Sequence, residues 1–165
     1  MAKVCVICAS PRTDGRCFPF AEEIFNDSIK HYPDQEHFFV SLADLDIQGC
    51  VGCNACKSGE HTCKFGQDDV QDIIDCIDEC ELLEIVSPIY FAGLPSQFKA
   101  LLDRFQPKYW KNTRHTDETR HAFIHLIGDG GDPYGADGAI LTLKSALDVA
   151  GFYILDTDVY LGKEK

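Results

Sequence analysis

Four cysteines crowd one short segment. From Gly49 to Cys63 the chain reads G-C-V-G-C-N-A-C-K-S-G-E-H-T-C, so Cys50, Cys53, Cys56 and Cys63 follow the spacing C-x2-C-x2-C-x6-C. Two successive two-residue gaps let three thiolates converge on one compact centre, as in bacterial ferredoxin runs. The fourth thiolate completes the set that a [4Fe–4S] cubane requires. Gly49, Gly52 and Gly59 provide the tight turns. Other chemistries suit the same residues. Zinc also takes four thiolates, although its sites usually pair two distant C-x2-C knuckles. The loop can equally remain an empty set of thiols, or close on itself as a disulfide. His61 is a further candidate ligand, but four thiolates suffice and it reads as a solvated side chain.

A second group of residues suits an anion. Ser10-Pro11-Arg12-Thr13-Asp14-Gly15-Arg16-Cys17 lies between an apolar run and a helical pattern. A strand-to-helix loop gathers free backbone N–H groups and the positive helix end at one point, which fits a phosphate. Ser10 and Thr13 bring hydroxyl donors, Arg12 and Arg16 bring charge, and Gly15 permits backbone angles that other residues resist. The loop is neither a G-x-G-x-x-G fingerprint nor a Walker loop. Cys17, beside two arginines at a helix start, is expected to be unusually acidic. Two further loops stand out. Ser87-Pro88-Ile89-Tyr90-Phe91-Ala92-Gly93-Leu94-Pro95-Ser96 offers two aromatic faces beside an open backbone. Gly128-Asp129-Gly130-Gly131 permits close approach of a ligand to the main chain, or simply a mobile loop.

The elements that must carry these loops alternate. Val4–Cys8 is a short continuous apolar run, the mark of a strand covered on both faces. Ala21, Ile24, Phe25, Ser28 and Ile29 recur at helical spacing. His37–Leu42 reads as a second strand, and 43–67 is irregular. Val70, Ile73, Ile74 and Ile77 form a helix stripe with Asp68 as the expected N-cap. Leu82–Ser87 is a third strand. Phe98, Leu101, Leu102 and Phe105 form a helix that opens at Pro95-Ser96 and closes before Pro107. Lys99 and Arg104 are expected to make structural ion pairs, with Asp103-Arg104 anchoring that helix. Residues 107–120 show no clear period. Ala122–Ile127 is a fourth strand, Ile140–Ala150 a helix stopped by Gly151, and the segment 152–161 holds a last strand. Strict alternation predicts an α/β fold with a five-stranded parallel sheet in the flavodoxin-like order 2-1-3-4-5. Its ligand belongs beyond the carboxyl ends of the strands, where the order switches. The helix that usually follows the fifth strand has no counterpart before Lys165.

Composition sets limits. With 165 residues the chain is read as a single domain, 1–165, with a cysteine-rich loop at 49–63. Twenty-seven acids against 15 bases give a net charge of −12, which repels phosphate backbones and anionic membranes. Nucleic acid and membrane are therefore not expected partners. The dense acids from Asp68 to Glu84 read as a solvated helix face, with steering of a basic redox partner as the alternative. Nine cysteines, an odd count, argue against a disulfide scaffold. The apolar start is too short for a signal peptide, so a reducing cytoplasm is the expected location. Cys5 and Cys8 read as small hydrophobes in the buried first strand, and Cys76 and Cys80, four apart on one helix, as packing residues.

These motifs resemble one family. Ser-Pro-Arg-x-x-Gly after the first strand looks like the flavin-phosphate loop of the NADPH-dependent FMN reductase-like flavoproteins. The Pro-x-Tyr-Phe loop and the segment Phe98-Lys99-x-x-x-Asp103-Arg104 are similar to that family's third loop and following helix. The cysteine spacing resembles its iron–sulfur flavoprotein branch. The family pattern often has glycine before the serine and Asn followed by Thr or Ser at the loop's end; here those positions are Ala9, Arg16 and Cys17. The resemblance implies FMN held by Ser10, Arg12, Thr13, Gly15, Arg16 and Cys17, by Pro88, Ile89, Tyr90, Phe91, Ala92 and Gly93, and by Gly128, Asp129, Gly130 and Gly131. It implies a [4Fe–4S] cluster on Cys50, Cys53, Cys56 and Cys63, with NAD(P)H as a possible electron donor and a small molecule or protein as redox partner. It further implies a homodimer or homotetramer, with Tyr109, Trp110 and the 107–120 segment at the subunit boundary or over the flavin ring. The cofactors carry the chemistry, so no acid, base or nucleophile is assigned. Two other functions fit the residues: an NAD(P)H-dependent FMN or quinone reductase without a cluster, and a zinc- or thiol-based redox-sensing module.

Overall fold

Strands with apolar side chains on both faces need a layer of helices on each side. The computed structural model describes residues 3–64, 68–114 and 119–162 and shows this arrangement. The strands are β1 (Lys3–Cys8), β2 (Glu36–Ser41), β3 (Leu82–Pro88), β4 (His121–Gly128) and β5 (Tyr153–Leu161). All pair in parallel, in the order β2-β1-β3-β4-β5. This is the expected flavodoxin-like sheet. The helices are α1 (Cys17–His31), α2 (Val70–Glu79), α3 (Ser96–Asp103), α4 (Gln106–Lys111) and α5 (Asp137–Val149).

Alternation along β1 divides the core. Cys5, Ile7 and Ala9 join the large cluster with Ile73, Ile77, Leu101, Leu143 and Leu147 from α2, α3 and α5. Val6 and Cys8 face the other way, onto Cys17 and Ala21 of α1. The period of two puts neighbouring residues on opposite faces. The edge strand β5 keeps Tyr153, Leu155, Val159, Tyr160 and Leu161 exposed.

Two expectations change. Asp69, not Asp68, occupies the N-cap of α2, and it makes no side-chain cap bond. Its carboxylate instead accepts from the Asp46 N–H at 2.7 Å, which ties the irregular segment to the start of α2. Residues 107–111, expected to lie in a segment without a clear period, belong to α4, with Pro107 in its first turn. Proline fits there because that N–H has no partner within the helix. Six residues are too few for a helical period to show in the sequence.

At the opposite end of the sheet from the strand termini that lead into the loops, Arg120 joins three carbonyls. It donates from Nε to Cys80 O at 3.0 Å, from Nη1 to Ala150 O at 2.9 Å and from Nη2 to Ile77 O at 2.5 Å. These carbonyls close the C-terminal ends of α2 and α5, where a cation meets the negative pole of each helix. The guanidinium also lies 4.0 Å from the centre of the Phe152 ring. Arg120→Met keeps much of the packing volume and leaves three carbonyls without this donor. It is expected to lower the unfolding free energy by about 2–4 kcal/mol, read from urea unfolding with m unchanged.

Candidate functional site

The loops after β1, β3 and β4 meet at the carboxyl edge of the sheet. A cavity of about 120 Å³ there is lined by Ser10, Arg12, Gly15, Arg16, Cys17, Pro88, Ile89, Tyr90, Ile127, Gly128 and Asp129. A second, of about 210 Å³, adjoins it through Ile89, Gly128 and Asp129 and continues along Phe91, Ala92, Gly130 and Gly131. Of the residues expected at the phosphate and ring positions, only Thr13 and Gly93 line neither cavity. Thr13 is exposed in its loop. Gly93 closes the turn behind the second cavity, pairing with Tyr90 in both directions at 3.0 and 2.9 Å.

The first loop is held open by its own bonds. The Ser10 hydroxyl donates to Arg12 O at 2.7 Å and accepts from Arg12 N at 3.2 Å, a local turn that shapes the loop. Helix α1 starts at Cys17 with no side-chain cap and no acid in its first turn. Its first N–H groups therefore remain available, with the positive end of the helix behind them. Arg16 donates to Asp129 at 3.0 Å and to the Gly162 carbonyl at 2.6 Å, fastening this loop to the fourth loop and to the end of β5. Among the described residues, Arg12 pairs with exposed Asp14, at 3.6 Å. The expected acidity of Cys17 is not found. Burial pushes its thiol up to about 12, outweighing the nearby arginines.

The third loop is tightly constrained. Phe91 and Ala92 both take left-handed backbone angles, φ 51° and 57°, inside the two-way Tyr90–Gly93 turn. Such residues cost of order 1–3 kcal/mol each and persist only where surrounding structure holds them. The holding contact is the start of α5: Ala139 N donates to Ala92 O at 2.8 Å. A Cβ on Gly138 would sit 2.8 Å from that same carbonyl oxygen, so only glycine fits. Gly138 went unnoticed in the sequence because its constraint is tertiary. The turn presents Phe91 fully exposed at its tip.

The cysteine loop surrounds its own cavity, lined by Cys50, Cys53, Cys56 and Cys63 together with Lys64, Arg104 and Gln106. Among the described residues no three His, Cys, Asp or Glu side chains converge closely enough to hold a single metal ion. A cubane spreads four irons over its corners, and a ring of thiols around a common cavity is the donor arrangement it needs. The Gly52 N–H lies 3.4 Å from Cys50 Sγ as a donor. His61 is not simply solvated: its Nδ1 lies 2.9 Å from the Cys56 carbonyl oxygen and braces the loop.

Lys99 and Arg104 make the ion pairs expected of them, Arg104 with a partner far along the chain. Its partner is Asp68, at 2.8 Å, with side chains 3 % and 2 % exposed, while Asp103 pairs with Lys99 on the surface. Arg104 also donates to Gln48 O at 3.0 Å and contacts the Cys63 sulfur. Burial alone would lower its pKa, but Asp68 and Cys63 together hold it above the usual value. A fixed positive charge thus forms one wall of the thiol cavity. Helix α4 packs against the same loop, with Lys57 Nζ 5.3 Å from the Trp110 ring centre. Trp110 therefore buttresses the cysteine loop, and neither it nor Tyr109 lines the two upper cavities.

Comparison with known proteins fits this geometry. The sequence profile of the NADPH-dependent FMN reductase family matches residues 2–165, and the chain belongs to that family. An iron-sulfur flavoprotein of Methanocaldococcus jannaschii is 37% identical over 105 residues, covering 64% of this chain and 52% of that protein. Another, of Archaeoglobus fulgidus, is 27% identical over 124 residues, covering 75% of this chain and 58% of that protein. The matched part thus spans little more than half of these relatives. The solved structure of an azoreductase from Bacillus anthracis superposes with a TM-score of 0.73 over 98% of this chain and 88% of its own, at 13% identity, and shares the fold.

Two outcomes follow from the site. Arg104→Met leaves the Asp68 carboxylate buried without its cation and is expected to cost about 3–5 kcal/mol in urea unfolding. Lys99→Met, at an exposed pair, should change stability by no more than about 0.5 kcal/mol. For Cys17, a folded-state pKa raised above the ordinary thiol value adds stability at neutral pH that disappears as pH climbs from 9.0 toward about 12. Peptide mapping after iodoacetamide treatment near ~pH 8.5 should accordingly find Cys17 unmodified in folded protein and modified in urea.

Proposed function

We propose that this member of the NADPH-dependent FMN reductase family is an oxidoreductase that holds FMN where the loops after β1, β3 and β4 meet, and a [4Fe–4S] cluster on Cys50, Cys53, Cys56 and Cys63. The observation that carries the reading is the shared cavity edge at Ile89, Gly128 and Asp129, which joins an arginine-lined pocket to one walled by the Phe91-Ala92 turn and the glycine loop. A phosphate in the first pocket meets the open N–H groups of α1 with Arg12 and Arg16 beside it. In a chain of net charge −12 such a cationic point is selective for an anion. The second pocket offers an apolar wall and bare main chain, which suits a flat heteroaromatic ring with a polar edge. Ser10, Gly15 and Cys17 shape the phosphate end; Pro88, Ile89 and Tyr90 continue the wall; Gly130 and Gly131 let the backbone approach.

Bound FMN supplies two-electron chemistry toward a reduced donor, for which NAD(P)H is the proposed class, and the cluster supplies one-electron transfer. The protein's part is positional. The clamped turn fixes the ring wall, and α3 runs ~12 Å from that turn to Arg104 at the thiol cavity. Arg104 and Lys64 place positive charge beside four thiolates, lowering the cost of gathering negative charge there. A donor or acceptor of electrons, small molecule or protein, and assembly as a homodimer or homotetramer complete the proposal. A second reading, a flavin or quinone reductase without a cluster, draws on the exposure of Cys50 and Cys53.

Titration with FMN and with riboflavin separates the roles of the two pockets. Arg12→Ala, which leaves the Arg16–Asp129 tie between the loops in place, is expected to weaken FMN binding about tenfold or more and to leave riboflavin, which lacks the phosphate, nearly unchanged. Equal loss for both ligands would contradict a phosphate seat at Arg12. Cys53→Ser should remove iron from the purified protein while leaving FMN affinity intact. If FMN affinity falls as well, the loop belongs to the flavin site and the division of roles is wrong.

A further inference from the structure

Five cysteines lie outside the loop that the proposed cluster uses, and three of them meet. Cys5 of β1 points toward α2, and its sulfur lies 3.4 Å from the sulfur of Cys76. Cys80, at the end of α2, also reaches Cys5, and donates to Ile77 O at 3.2 Å. Cys5 is fully buried, whereas Cys76 is half-buried and faces the surface at the foot of the sheet. All nine thiols are free. The two sulfurs in contact belong to residues 71 positions apart. Packing alone does not require two thiols at this distance: alanine, valine or serine would fill such a position without offering a reactive pair.

The surroundings distinguish the two sulfurs. The hydrogen bond from Cys5 lowers the Cys76 pKa; burial and the charges of Glu79 and Glu36 oppose this, and Lys3 assists it. Lys3 stands over this end of the strand, 2.6 Å from Glu79 and 3.3 Å from Glu36. The same contact pushes the Cys5 thiol up, together with Cys80 and its own burial. A half-buried sulfur that ionises more readily, in contact with a fully buried one that ionises less readily, is the arrangement of an attacking and a resolving thiol. Cys8 and Cys17 are buried on the other face of the sheet with raised pKa values and have no such division.

We propose that Cys5 and Cys76 form a dithiol site that low-molecular-weight disulfides oxidise to an internal disulfide. The Cys76 thiolate attacks one sulfur of the small disulfide, forming a mixed disulfide and expelling one thiolate. Cys5 then passes its proton to the expelled thiolate and attacks Cys76 Sγ. The mixed bond breaks, the second thiolate leaves, and a Cys5–Cys76 bond forms. Two protein thiols are oxidised and one small disulfide is reduced to two thiols. The sulfurs already lie 3.4 Å apart, so the pair meets the proximity that a disulfide requires. The product ties β1, which feeds the arginine loop, to α2, whose start holds the cysteine loop through Asp68 and Asp69.

The test is incubation of the anaerobically purified full chain with glutathione disulfide, acid quench, digestion and tandem mass spectrometry. Fragmentation is needed because Cys5 and Cys8 share one tryptic peptide and Cys76 and Cys80 another. The expected product is a Cys5–Cys76 cross-link two hydrogens lighter than the separate peptides, retained in Cys80→Ser and lost in Cys76→Ser. A lasting glutathione adduct on Cys76 with Cys5 free, a Cys76–Cys80 bond, or no reaction at Cys76 in folded protein while urea-unfolded protein reacts, would each overturn the proposal.

Discussion

The constraint on which the rest depends is the parallel pairing of β1 with β2 on one side and β3 on the other. It places every strand's carboxyl end on one edge and sends the chain from β1 and from β3 into helices on opposite faces. A crevice opens between those departures. Backbone bonds extend the sheet past the named strands into the loops: Ala9 N donates to Val86 O at 2.8 Å, and Ile89 N to Ile127 O at 2.9 Å. The first, third and fourth loops therefore leave from fixed points, and their side chains face one another without long-range folding of the loops themselves.

The cysteine loop obeys a different rule. Its only regular structure is one three-residue helical turn, Ala55–Lys57, so side chains must hold it. The buried Asp68–Arg104 pair does this from the α3 side, with Gln48 O sharing the guanidinium. Asp69 fixes the chain upstream through Asp46, and His61 braces Cys56 from within. A buried ion pair is a costly way to hold a loop. Its merit here is that the cation it fixes also faces the four thiols, where negative charge accumulates if they ionise together.

The fold was readable because continuous apolar runs such as Val4–Cys8 and Leu82–Ser87 fit a strand covered on both faces, and the runs alternate with helical stripes. The cavity-lining loops were readable because their glycines, prolines and arginines are unusual at strand ends. What stayed hidden depends on contacts between distant segments. Arg104 lies next to Asp103 in the sequence, yet pairs with Asp68 across 36 positions. Gly138 is required by a carbonyl in another loop. Cys17 sits beside Arg16, but the closed layer of α1 over the sheet decides its protonation. Cys5 and Cys76 are each unremarkable in the sequence; the crossing of α2 over β1 makes them a pair.

Two redox centres on one small α/β scaffold is the central claim, and chemical composition tests it most directly. The full chain is purified without oxygen and assayed for flavin, iron, acid-labile sulfide and zinc, with an absorption spectrum of the same sample. One FMN and about four irons with matching sulfide are expected per chain, the iron being the content of one cubane. Flavin without iron and sulfide, or zinc in their place, would contradict the cluster, and protein that takes up no FMN on reconstitution would contradict the account as a whole.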